Sequence, residues 1–205
     1  LERMMNFVGS APQVWWLTVG DTPFAAPFEA RLLEHYALLR AEKWTNLTLA
    51  SEDYGGWKQY LQIPDNLADM FLFGDNLHLQ AWSLLESVEV RACQTITVRS
   101  WWRLRQRENQ MYTVTLALAD AGGQGLAQED VWGAITKPLY WEANQTYLDQ
   151  RALTIPCNTP SGDYSLVIGA YILSDDGRVT DQPITLPDGR PLGNRAYLTT
   201  LFVRP

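Results

Sequence analysis

Cys93 and Cys157 are the chain's two cysteines, and they supply neither the repeated Cys-x-x-Cys spacing of a metal cluster nor a single Cys-x-x-Cys redox pair. What remains open to them is pairing with each other or burial as free thiols. The two histidines, His35 and His78, have no His-x-x-x-His partner, no nearby Gly-x-Ser-x-Gly turn and no cysteine at motif spacing, so zinc and triad chemistry lack support. Asp175, Asp176 and Asp181 surround Gly177 with oxygen ligands but miss the Asp-x-Asp-x-Asp-Gly spacing and distal glutamate of a calcium loop, which reads as a solvated turn. Glycoside hydrolysis needs two carboxyl groups at a defined separation; with 23 acidic residues some pair can always be proposed, and no motif selects one. No catalytic residue, metal site or cofactor is expected.

Aromatic residues offer a different chemistry. Nine tryptophans are many for 205 residues, and a flat ring can cover the apolar face of a sugar while neighbouring amides and carboxylates bond its hydroxyls. Trp101 lies on the outward side of its strand by alternation, and Trp132, Tyr140 and Trp141 fall in one aperiodic loop, where function concentrates. These four are the candidate carbohydrate contacts. The competing use of the same rings is to cover a sheet edge or the junction with the N-terminal part.

The elements that would position them change character along the chain. Val14 to Val19 is a buried-strand run, ended by Gly20, Asp21 and Pro23. From Phe28 to Trp44, the spacing of Phe28, Leu32, Leu33, Tyr36 and Leu39 predicts an amphipathic helix. Asn46 to Ala50 alternates, which completes a strand-helix-strand unit of the kind that makes parallel neighbours. After Tyr54-Gly55-Gly56 the pattern becomes short strands divided by Gly, Asn, Asp and Pro. Leu77 to Ala81 and Val88 to Val90 read as strands. Gln94 to Leu104 places Ile96, Val98, Trp102 and Leu104 on one face; Met111 to Ala119 places Tyr112, Val114, Leu116 and Leu118 likewise. Alternation returns at Tyr147 to Ile155 and again in the strongest strand, where Tyr164, Leu166, Ile168, Ala170 and Ile172 share a face, and Ala196 to Val203 closes the series. The expected architecture is a small α+β element over 1–66, followed by an all-β, immunoglobulin- or fibronectin-like sandwich over 70–205.

In that sandwich Cys93 lies just before one strand and Cys157 just after an antiparallel neighbour, so their ends should meet. A bridge closing this loop of about 65 residues would contribute roughly 3 to 4 kcal/mol in the chain-entropy account and would persist in an oxidising compartment. Tyr164, at the start of its strand after Pro160-Ser161-Gly162-Asp163, is placed like a tyrosine corner, whose hydroxyl bonds back to nearby backbone.

Several segments together carry a family likeness: Phe73-Gly74-Asp75-Asn76-Leu77-His78-Leu79, Thr95 to Trp102, Tyr112 to Asp120, Gly162-Asp163-Tyr164-Ser165-Leu166-Val167-Ile168-Gly169-Ala170-Tyr171 and Asp188-Gly189-Arg190-Pro191-Leu192-Gly193-Asn194-Arg195. The chain resembles the C-terminal soluble region of bacterial membrane glycosyltransferases of the dolichyl-phosphate-mannose protein mannosyltransferase-like class. The resemblance implies an extracytoplasmic sandwich tethered to a membrane-embedded remainder that carries the glycosyl-transfer site, and Val14-Trp15-Trp16-Leu17 looks like the first strand of the small preceding element. These are strand and turn motifs, which speak to fold and context more than to chemistry. Cys93 departs from the pattern, standing where such regions more often have a turn glycine.

The totals agree with an ordinary folded protein, 46% hydrophobic and 19% charged. Its net charge of -7 repels phosphate backbones and anionic lipid, which argues against nucleic acid as a partner. No run of about 18 apolar residues exists, so this fragment is not expected to insert in a membrane. The start, Leu-Glu-Arg-Met-Met, lacks a signal pattern and reads as an excised part. The expected role is a non-catalytic accessory domain contacting a donor or acceptor glycan. The alternative is a stand-alone carbohydrate-binding or protein-interaction module, with an enzyme ranked last.

Overall fold

In a computed structural model the described residues are 11–19, 25–46, 51–65, 67–107, 111–130, 138–174 and 176–204, with the side chains of 18–19, 43–46 and 51–55 left aside. The chain forms two compact units, Leu1–Asp65 and Asn66–Pro205.

The N-terminal unit is a three-stranded antiparallel sheet with one short helix: β1 (Gln13–Val19), α1 (Ala25–Leu32), β2 (Tyr36–Asn46) and β3 (Ser51–Gln62), in the order β1-β3-β2. The helix expected to reach Trp44 therefore stops at Leu32, and the expected parallel pairing gives way to antiparallel neighbours. The periodicity misled because β2 is apolar on both sides: Tyr36, Ala37 and Leu39 are all buried, and a bulge between Leu38 and Arg40 disturbs the two-residue alternation. An irregular, two-sided strand imitates helical spacing. Part of the expected Asn46 to Ala50 strand, 47–50, lies outside the described residues.

An eight-residue helix is too short to persist alone. Phe28 and Leu32 hold α1 to the sheet in a core with Val14, Tyr36 and Tyr60, and Trp16 stacks on Phe28 at 4.4 Å. Glu29 completes the attachment by accepting hydrogen bonds from Lys58 Nζ and Tyr60 Oη, each at 2.6 Å. Burial, then this bond and the Glu29 charge, push the Tyr60 hydroxyl well above its usual pKa. No helix among the described residues is long and apolar enough to cross a membrane.

The C-terminal unit is a β-sandwich. One sheet contains β4 (Phe71–Phe73), β5 (Leu77–Leu84), β7 (Thr95–Leu104), β10 (Thr146–Thr154), β13 (Ile184–Thr185) and β14 (Pro191–Gly193), in the order β10-β7-β5-β4-β13-β14. The other contains β6 (Glu89–Arg91), β8 (Tyr112–Ala119), β9 (Gly125–Glu129), β11 (Gly162–Leu173) and β15 (Ala196–Arg204), in the order β6-β15-β11-β8-β9, with β12 (Val179–Asp181) paired to the end of β11. The pairs are antiparallel except β15 with β6. Alternate residues face inward: Ile96, Val98, Trp102 and Leu104 from β7 meet Val114, Leu116, Leu166 and Ile168 from β8 and β11 in one core. A buried ion pair, Arg151 to Asp149 at 2.6 Å on β10, also lies in this layer, and Arg151 donates to the carbonyls of Val114 and Glu129 across the gap between sheets.

Two local features fix the ends of strands. β10 and β7 pair with Thr154 opposite Thr95, which brings Cys93 and Cys157 together, and a disulfide joins them. Cys93 has φ 65°, a left-handed conformation that favours glycine. Tyr164 donates from its hydroxyl to the Pro160 carbonyl at 2.9 Å, tying the entry of β11 to the turn before it.

Candidate functional site

Among the described residues, the aromatic candidates do not form an exposed platform. Alternation sets Trp101 on the outward side of β7, yet it is 7% exposed, between Ala81 of β5 and the buried Leu148 of β10. Alternation assigns a face, not solvent access. Trp141 is fully buried, belongs to the sandwich core, and stacks on Tyr147 at 4.5 Å with the rings nearly parallel. Tyr140, at the end of a 3₁₀ turn over Pro138–Tyr140, is 63% exposed. Trp132 lies outside the described residues.

Of the titratable candidates, His78 and Asp176 are occupied structurally. His35 is exposed in the turn after α1, off the helix that was expected to carry it. His78 is buried with Nδ1 2.8 Å from Asp69, which also receives Arg103. Asp176 accepts from the Arg178 N–H, a turn bond; Asp175 lies outside the described residues. No group of three or more potential metal ligands occurs among the described residues.

A concave surface exists elsewhere, on the outward face of the second sheet. Inward positions of β8 and β11 carry the core, so Thr115, Ala117 and Ala119 of β8, and Ser165, Val167, Gly169 and Tyr171 of β11, project outward. These residues are small or uncharged, where a solvated sheet face ordinarily carries charge. Their low profile leaves a hollow of about 430 Å³ floored by Ala117, Ala119, Ser165 and Val167 and flanked by Tyr197 and Arg195. A second hollow of about 280 Å³ continues over Thr115, Gly169 and Tyr171, with Asp130, Asp181 and Asn194 among its walls. Gln128 and Arg195 line both. Their combined size falls in the range of small-molecule sites.

Local structure shapes each wall. β11 and β15 slip register between Leu166 and Val167, which places Tyr197 opposite Val167 on the groove side. Tyr197 is 55% exposed, and its hydroxyl is steadied by Thr200 at 2.7 Å. Gly193, at φ 90°, turns the chain from β14 into Asn194 and Arg195. Those two then lie down on Gly169: a Cβ there would stand 3.0 Å from the Asn194 carbonyl oxygen and 3.2 Å from Arg195 Cδ. Glycine at 169 thus makes space rather than an unusual backbone. Asp120 accepts the N–H groups of Gly122 and Gln124, each at 2.9 Å, and so fixes the β8–β9 hairpin at one end.

The polar groups of the groove are mixed. Gln128 donates to Asp130 Oδ2 at 2.7 Å, while Asp130 Oδ1 is buried without a partner. Asn194 donates to Asp181 at 3.3 Å, which links the β14–β15 corner to β12. The Arg195 guanidinium has no hydrogen bond or ion pair among the described residues. The arrangement therefore offers carboxylate and amide oxygens as acceptors, amide and guanidinium donors, and two tyrosine rings around an uncharged floor.

The class that fold and site define is a β-sandwich bearing an open groove on one sheet. No family model matches the chain, and no curated protein matches it in sequence. Among solved structures, the C-terminal domain of Wzt is similar over 70% of this chain and 80% of its own length, with a TM-score of 0.46 and 12% identity. A Niemann-Pick type C2 protein from the Japanese carpenter ant is similar over 67% of this chain and 98% of its own, with a TM-score of 0.39 and 6% identity.

Proposed function

We propose that the C-terminal unit is a non-catalytic glycan-binding domain and that its ligand lies in the groove of the second sheet. The observation that carries this is the uncharged floor of Ala117, Ala119, Ser165 and Val167 beside the exposed Tyr197 and the unpaired guanidinium of Arg195. Sugars need both: apolar surface for the C–H face of the ring, and planar donors and acceptors for the hydroxyls. Tyr140, exposed beyond the sandwich core, is kept as a further candidate contact.

The resemblance to membrane glycosyltransferase tails supports a finer reading, in which the sandwich over about 70–205 is the accessory domain of a membrane-embedded enzyme and meets its donor or acceptor glycan. The disulfide between the exposed Cys93 and Cys157 supports placing it on the extracytoplasmic side, where such bonds persist. Tyr164, bonded to Pro160, fills the role of a tyrosine corner in this reading.

The test is a glycan array followed by calorimetric titration of the chain and of Ala117→Arg, which would fill the floor. Saturable binding to at least one glycan, lost in Ala117→Arg while its thermal unfolding stays cooperative, is the expected result. Failure of every glycan to bind, or binding that ignores Ala117→Arg, would overturn the proposal.

A further inference from the structure

We infer that the groove takes an internal stretch of a linear glycan laid along β11, and that Arg195 is the residue that holds two consecutive sugar units at its midpoint. This rests on the glycan-binding reading above and specifies its ligand. The two hollows adjoin: Gln128 and Arg195 line both, and one strand floors them, with Ser165 and Val167 in one, Gly169 and Tyr171 in the other, and Asn194 and Arg195 lying across Gly169 between them. From Ser165 to Tyr171 the track spans about 20 Å at the rise of an extended strand. That is longer than one sugar ring requires.

Among the described residues neither end is closed. Past Tyr171 the same face continues to the cross-strand pair Leu173 and Val179, both exposed; past Ser165 it meets the exposed Gly123 and Gly125 of the β8–β9 hairpin. A site for a chain terminus would need a wall at one end, whereas an open track lets a polymer enter and leave. Arg195 stands at the join. Its aliphatic stem lies over Gly169, where even a methyl group would crowd Cδ, and its planar fork of donors is free of protein partners among the described residues. Donors in one plane between two hollows can bond oxygens of the units seated in each, so Arg195 reads the linkage between two sugars more than either sugar alone.

The full chain is titrated with α-manno-, β-gluco- and N-acetylglucosamine oligosaccharides of one to six units, alongside Arg195→Met and Arg195→Lys. The expected result is an affinity that rises about tenfold or more from one unit to three in at least one series and then levels off. Arg195→Met should lower the three-unit affinity about tenfold and the single-unit affinity by a clearly smaller factor, with Arg195→Lys intermediate. Near-UV circular dichroism of each variant confirms an unchanged fold, and the lysine variant serves if the methionine one does not fold. Equal affinity for one and three units, or equal loss for both in the variants, would overturn the internal-chain inference while the glycan-binding reading stands. No binding in any series would overturn both.

Discussion

Replacing both bridged cysteines by serine tests how much of the sandwich's stability comes from one covalent link. Cys93 and Cys157 are 64 residues apart, and a loop of that length removes about 14 cal/mol/K from the unfolded chain, or about 4 kcal/mol at room temperature, in the loop-closure account. The unit spans Asn66–Pro205, and at roughly 2.1 cal/mol/K per residue its unfolding entropy near the midpoint is about 0.3 kcal/mol/K. Cys93→Ser with Cys157→Ser should therefore lower its Tm by roughly 14 °C, read by near-UV circular dichroism of the full chain. A second double variant separates the bridge from the backbone. Cys93 sits at φ 65°, so Cys93→Gly with Cys157→Ser relieves the left-handed strain and should melt above the serine pair by a difference worth about 1 kcal/mol. A serine pair that melts within about 2 °C of the parent would refute the chain-entropy reasoning. A glycine pair no better than the serine pair would refute the strain assigned to Cys93.

Three further outcomes are expected. Arg151→Met, which leaves the fully buried Asp149 without its adjacent cation, should cost about 3 to 5 kcal/mol in urea unfolding, far more than loss of an exposed ion pair. Tyr164→Phe removes the bond to Pro160 and should cost about 1 kcal/mol by the same measurement without altering glycan binding. The Tyr60 hydroxyl is raised in the folded state, so its stabilising effect is complete below the ordinary tyrosine pKa of about 10 and is lost as pH climbs beyond it, at about 1.4 kcal/mol per pH unit. Tyr60→Phe should flatten that alkaline slope in the N-terminal unit, and an unchanged slope between pH 10 and 11 would count against the assignment.

Legibility in the sequence followed the physics of each element. β7, β8 and β11 carry large apolar residues on one face and mostly polar or small residues on the other, so their two-residue alternation names the inward residues directly: Ile96, Val98, Val114, Leu116, Leu166 and Ile168 are all in the core. β2 resisted because burial on both sides and a bulge erase that alternation. Five short strands, β4, β9, β12, β13 and β14, are two to five residues long, and turn residues at their ends hide them. The burial of two aromatic candidates was hidden for a related reason. Trp101 and Trp141 were read by their type and local pattern, while their burial depends on cross-strand neighbours such as Leu148 and Tyr147 that single-strand periodicity does not reveal.

The groove did leave a signal, in what its strands lack. Folding requires only that the inward side of β8 and β11 be apolar; on an outward sheet side Lys, Glu and Thr ordinarily give solubility and strand propensity. Yet from Ser165 to Tyr171 the outward positions hold no charge, and Ala117 and Ala119 repeat this on β8. Gly169 sharpens the point, since a strand-interior glycine costs about 0.5 to 1 kcal/mol relative to alanine and no unusual φ is needed at this position. That cost secures only the seating of Asn194 and Arg195 on the floor. Local preference set aside where the core gains nothing is what a binding surface looks like in a stable fold.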